Sequence, residues 1–132
     1  MTEVGTEPVD ERAAAAGAMV TLTGRLTAPA EERVLPSGDV MVAFRLSVPR
    51  TDTPLGRGSR QRSDWIDCVS AVARCRRSAL GWDVGDEVAV EGVLRRRFLR
   101  GVGMAGTRLE VEVLAARRRS RGGGLRRPAG PA

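Results

Sequence analysis

The 132-residue chain contains no histidine, no lysine and no tyrosine. Without histidine, the commonest general base and the commonest zinc ligand are both missing. The two cysteines, Cys68 and Cys75, stand seven positions apart, a spacing that fits no metal or redox motif. They read as buried structural thiols. No carboxylates pair beside a nucleophile, so no catalytic residue, no metal and no cofactor are expected, and the chain does not read as an enzyme. Aromatic side chains amount to two Trp and two Phe. No apolar run is long enough to span a bilayer, and no basic segment followed by an apolar core opens the chain. The expectation is a cytoplasmic protein that does not contact the membrane.

What is present is arginine. It supplies all 22 basic residues against 16 acids, for a net charge of +6. The charge is unevenly placed: −3 over residues 1–18, +3 over 19–115 and +6 over 116–132. Neither end has the apolar periodicity needed to pack. The expected organisation is therefore a disordered segment over 1–18, one folded domain over 19–115, and a disordered basic tail over 116–132. A folded part of this size buries enough surface to need no disulfide. Because it is only mildly basic, local placement of charge must carry any argument for a nucleic-acid partner.

One stretch organises the folded part: VGDEVAVEGVLRRRF, Val84 to Phe98. A Gly-Asp turn precedes an alternating strand, and Gly92 interrupts it. A glycine inside a strand marks a bulge or a barrel corner. The strand is thus expected to bend there and carry Arg95, Arg96 and Arg97 outward. Other elements follow from the same period-two pattern. MVTLTGRL, residues 19–26, is a first strand with a bend at Gly24. After a Pro-Ser-Gly turn, Val40, Val42, Phe44, Leu46 and Val48 form the inner face of a second. Residues 50–63 form a mobile loop with four arginines and one acid. Asp64–Ser70 is a third strand, with Ile66 and Cys68 inward and Trp65, Asp67 and Val69 outward. Ala71–Leu80 is a short helix, buried through Ala71, Val72, Cys75 and Leu80 and stopped by Gly81. A Gly-rich loop over 99–106 leads to a last strand, Thr107–Leu114, with Leu109, Val111 and Val113 inward and Arg108, Glu110 and Glu112 outward. Five strands with one short helix between the third and fourth is the element order of an all-β OB-fold, a partly open barrel.

Four runs carry a resemblance beyond element order: VTLTGRLTAPAEERVLPSGDVMVAFRLSV, DWIDCVSAVA, VGDEVAVEGVLRRRF and RLEVEV. In this order and spacing the chain resembles the bacterial single-stranded DNA-binding protein family. The resemblance implies an OB-fold that binds single-stranded DNA without sequence preference, as a homotetramer, in DNA replication, repair or recombination, and hence near the nucleoid. Family members stack bases on several aromatics, and here only Trp65 stands at such a position. The others fall near Asp52, at Ala71 and near Leu99. Phe98 is one position away, on the opposite parity. The chain ends LRRPAGPA, without the acidic, Phe-terminated tip through which replication-type members recruit other proteins. That kind of recruitment is not expected, and a short accessory paralogue is.

Single-strand binding needs cations along the backbone and flat groups for the bases. The candidate cations are Arg25, Arg45, Arg95 and Arg97 on outward strand positions, with Arg50, Arg57, Arg60 and Arg62 in the loop. Trp65 is the candidate platform and Phe98 the arm's remaining aromatic. Two bland alternatives stand beside this reading: Trp65 as a packing residue, and the arginines as a solvated face. At the level of function the alternatives are an OB interaction module that has lost its stacking residues, and RNA as the ligand, since stacking and phosphate contacts do not read the 2′-hydroxyl.

Overall fold

A computed structural model describes residues 17–98 and 106–122. The expected alternation produces strands β1 (Met19–Leu26), β3 (Val40–Pro49), β4 (Ser63–Ser70), β5 (Glu87–Phe98) and β6 (Thr107–Ser120), with helix α1 (Ala73–Leu80) between β4 and β5. A further short strand, β2 (Glu31–Val34), folds back on β3. It was not anticipated because its four residues are all exposed and leave no apolar alternation to read. The strands lie in the order β1-β5-β6-β4-β3-β2. Pairing of Arg25 with Ser47 and of Leu26 with Leu46 joins β1 to β3 and closes the first five of these into a barrel. The β4–β6 pairing is parallel and the others are antiparallel. This is an OB-fold, with β2 appended to the β3 edge.

Inward positions of the alternating strands fill the barrel, among them Leu26, Val42, Leu46, Val88, Val111 and Val113. Helix α1 closes one end through Cys75 and Ala79. Trp82, just after it, sets its ring edge-on to Phe44 at 5.2 Å and is 7% exposed. The helix begins two residues later than expected and buries Ala79, while Leu80 is 47% exposed. The Ser70 hydroxyl donates to the Val113 carbonyl (2.7 Å) and accepts from the Val72 N–H (3.2 Å), tying β4, β6 and the helix start together. Both cysteines are buried and unpaired. Burial, with Asp67 and Glu110 adding to it, pushes the Cys68 thiol up to about 12, so it stays protonated.

Two glycines permit the closure. A Cβ on Gly24 would lie 2.6 Å from the Ser47 carbonyl oxygen, where β1 crosses to β3. A Cβ on Gly92 would collide with the backbone of Glu112 and Val113. At that point the β5–β6 register shifts, with Glu91 opposite Ala115 and Gly92 opposite Val113. Leu114 is the extra residue of the bulge, and it puts the rest of β6 out of phase with the alternation before it. For that reason the strand was expected to end at Leu114, with a tail from 116. Instead β6 runs to Ser120, pairing with Glu87–Glu91 and packing Ala116 against the core. At the other end of β6, Leu109 was expected inward but is 52% exposed, because β5 and β6 run out there as a two-stranded arm beyond the core. Residues 1–16, 99–105 and 123–132, covering most of the expected N-terminal segment, the Gly-rich loop and most of the expected tail, lie outside the described residues. Among the described residues no helix is long and apolar enough to cross a membrane.

Asp86 anchors the end of β6. Its carboxylate is 1% exposed. It accepts hydrogen bonds from the Asp83 N–H (2.9 Å), the Gly122 N–H (2.8 Å) and Arg118 (3.3 Å). Burial by itself would raise this carboxyl, but those donors outweigh it and hold it below its ordinary value. A depressed carboxyl contributes stability above its unfolded value, near pH 4, and loses it as pH falls through the folded value. Urea unfolding followed against pH should therefore show stability falling in acid below about pH 4. Asp86→Ala should cost about 1–3 kcal/mol at neutral pH by removing the acceptor of two part-buried N–H groups and of Arg118, and should flatten the acid slope. A second variant checks the bulge: Gly92→Ala should destabilise by about 1–3 kcal/mol as the backbone of β6 is forced away. Gly81→Ala, which meets nothing closer than 3.5 Å, should stay within about 0.5 kcal/mol in the same melts.

Candidate nucleic-acid interface

The outward side chains of β3, β4, β6 and β5 form one continuous face. Register places Arg45 opposite Asp67, Asp67 opposite Glu110, and Glu110 opposite Arg95. The neighbouring row brings Ser47 beside Trp65, and Arg108 beside Arg97. A cleft of about 240 Å³ opens on this face, lined by Thr27, Arg33, Arg45, Asp67, Arg97 and Arg108 among others.

Trp65 is 65% exposed, so it is not a core residue. The Arg45 guanidinium carbon lies 5.1 Å from the centre of its ring, within cation–π range. Arg45 is held there by Asp67, whose Oδ1 accepts from Nε at 2.8 Å. The other oxygen of Asp67 faces Arg108 at 3.5 Å. The acid that sequence placed on the Trp65 face is thus bracketed by two arginines. Acids engage the other arginines of the face in the same way. Arg95 donates to Glu112 at 2.8 Å, and Arg97 approaches the buried Glu110 at 3.8 Å. Three of the four outward strand arginines proposed from sequence, Arg45, Arg95 and Arg97, therefore share one face, each beside a carboxylate.

The fourth behaves differently. Arg25 lies in register with Ser47, but its guanidinium donates to the Gly85 carbonyl at 2.8 Å and braces the turn before β5. The loop between β3 and β4 contains a short 3-10 turn, Pro54–Gly56, capped by the Thr53 hydroxyl. Arg50 closes its neck with two hydrogen bonds to Asp64, both 3.0 Å. The Arg50 hydrogen bonds hold the exposed Asp64 carboxyl below its ordinary value. Arg57, Arg60 and Arg62 are exposed on the loop and join no ion pair among the described residues. Phe98 is exposed but pairs with Thr107, one step out of phase with Arg97 and Arg108, so it faces the opposite side of the arm from the cleft. Sequence reasoning did not select Arg33 and Arg108, which line the cleft. Arg108 sat on a recognised outward position, and Arg33 lay in a stretch without a readable pattern.

The model of the single-strand binding protein family matches residues 18–118. The chain belongs to that family. Its fold is similar to that of a small single-stranded DNA-binding protein from Streptomyces coelicolor, with a TM-score of 0.60 at 21% identity, covering 78% of this chain and 93% of that one. It is also similar to a mitochondrial single-stranded DNA-binding protein of S. cerevisiae, with a TM-score of 0.60 at 11% identity, covering 80% of this chain and 96% of that one. No curated protein is similar enough in sequence to count as a match.

Membership of this family makes the carboxylates on the face the informative residues to change. If a strand crosses this face, its phosphates compete with Asp67 for Arg45 and Arg108. Exposed ion pairs are each worth about 0–1 kcal/mol. Asp67→Asn keeps the shape and removes the charge, so single-strand affinity should rise up to about fivefold in an anisotropy titration. A fall in affinity would show that Asp67 serves chiefly to hold Arg45 in place, and would sink the competition argument.

Proposed function

We propose that the chain binds single-stranded DNA without sequence preference, the strand crossing the outer face of β3, β4, β6 and β5. A base stacks on Trp65, and phosphates take the places that carboxylates hold beside Arg45, Arg95, Arg97 and Arg108. The carrying observation is Trp65 itself, a largely exposed indole on this face with the guanidinium of Arg45, a cleft-lining residue, against its ring. Family membership and the naming of the Streptomyces relative as a small single-stranded DNA-binding protein support the same ligand. With one platform in place of several, the binder is of modest strength and suits an accessory role in DNA replication, repair or recombination, in the cytoplasm. Assembly into a homotetramer is part of this reading. The edge of β1 supports association: among the described residues, Met19–Gly24 pairs with β5 on one side only, and such an edge is open to another strand. The interaction-module alternative is favoured by the carboxylates on the face, and RNA is the alternative ligand.

The deciding experiment is Trp65→Ala. Trp65 is exposed and Trp82 is buried against Phe44, so most quenching on adding oligothymidylate should come from Trp65. The substitution should lower affinity by about 1–3 kcal/mol, the usual worth of a base–aromatic stack, with little change in melting temperature. A protein that melts normally and binds as tightly as wild type would refute the stacking role. Matched RNA and duplex titrations separate the ligands.

A further inference from the structure

Among the described residues, the arginines that lack a carboxylate partner are not on the cleft. On another side of the barrel, the last turns of α1 meet the last residues of β6. Arg77, Arg117 and Arg118 line one cleft there, of about 410 Å³. Arg74 stands one turn before Arg77 and shares its side of the helix. Arg119 and Arg121 are exposed close by on the chain. Of these six, only Arg118 has an ion-pair partner among the described residues, the buried Asp86. The remaining acids near the surface are Asp83, Glu87 and Glu91, the last lining a neighbouring hollow with Arg117; with Asp86 they make four acids against six arginines, which leaves the surface net cationic. The cleft offers no platform for a base, since its one aromatic, Trp82, is 7% exposed and turned edge-on to Phe44.

We propose that this α1–β6 surface is a second binding site, for the phosphodiester backbone of nucleic acid, separate from the β3–β4–β6–β5 face. The chemistry fits that ligand class. Guanidinium groups pair with phosphates, often bidentately, through a fixed fork of donors. Cations without a stacking surface read the backbone and ignore the bases. Such a site takes a duplex segment as readily as the continuation of a single strand. The cleft face, with Trp65, selects unpaired bases; the α1–β6 surface would hold the flanking backbone. It also accounts for the position of the β6 extension. Asp86 uses Arg118 and the Gly122 N–H to fix residues 117–119 beside the helix rather than leave them on a free tail.

The test uses the full chain and the triple variant Arg74→Ala/Arg77→Ala/Arg117→Ala, which spares Arg118. Binding of oligothymidylate and of a blunt duplex is titrated over a range of salt, with tryptophan quenching recorded in parallel. The variant should melt as wild type. Its log–log salt slope should fall by about 0.9 per lost contact for duplex and about 0.7 for single strand, while quenching by oligothymidylate persists. A change confined to duplex identifies a flanking duplex as the ligand, and a change confined to long single strands identifies a continuing strand. Either supports the site. Unchanged slopes for both probes overturn it. So does an equal loss of duplex affinity in Arg57→Ala/Arg60→Ala/Arg62→Ala, which removes the same charge from the loop and would make total charge the cause. The proposal does not rest on the cleft reading. Absence of quenching in the wild type, with duplex binding lost in the triple variant, would reject that reading and leave this one standing.

Discussion

The contact at Gly92 is the constraint on which the architecture turns. There β5 passes so close to Glu112 and Val113 that a side chain has no room. The close approach lets one long strand serve two purposes. Glu87–Glu91, before the glycine, completes the barrel against β1 and the end of β6. Val93–Phe98, beyond it, pairs with the start of β6 as an arm and carries Arg95 and Arg97 to the face that holds Trp65. The bulge sits on β6, where Leu114 is the unopposed residue, so the bend and the change of phase fall at the same place. A wider crossing would open the barrel between its two most extensively paired strands and separate the arm from β4.

Much of this was legible in the chain. Gly24 and Gly92 were recognisable as bends because each interrupts a clean alternation, and both lie at close crossings. Trp65 could be assigned outward because Ile66 and Cys68 fixed the parity of β4. What escaped was whatever broke or lacked the period. The end of β6 escaped because the bulge at Leu114 shifts the phase and the following Ala-Ala-Arg-Arg-Arg looks like a tail. Backbone pairing with Glu87–Glu91 and one small inward residue, Ala116, are enough to make it strand. Strand β2 escaped because a fully exposed strand has no inner face. Leu109 misled because alternation reports parity and not how far the core extends.

The candidate site was legible as a list of residue types but not as a network. Sequence gave Arg45, Arg95 and Arg97 as outward cations, and Asp67, Glu110 and Glu112 as outward acids on other strands. Which acid meets which arginine depends on the β4–β6 parallel pairing and on the register at the bulge, and neither is a local property. Arg25 shows the same limit. Its parity was right, yet its guanidinium reaches the Gly85 carbonyl, a partner sixty residues away.

That network changes how the face should act as an electrostatic surface. An array of bare arginines attracts any polyanion and releases counterions in proportion to the phosphates it binds. Here each cleft arginine already has a carboxylate beside it, so a phosphate must exchange with that partner or share the guanidinium with it. The exchange returns less than a new ion pair, because one charge-assisted contact replaces another. Discrimination then shifts toward what a carboxylate cannot imitate, which is a flat base. On the proposed reading, Trp65, with Arg45 fixed against its ring by Asp67, is the place on this face where such a group would be received. On that reading, the same acids that weaken attraction for phosphate would sharpen the preference for unpaired nucleotides over duplex, whose bases are not free to stack.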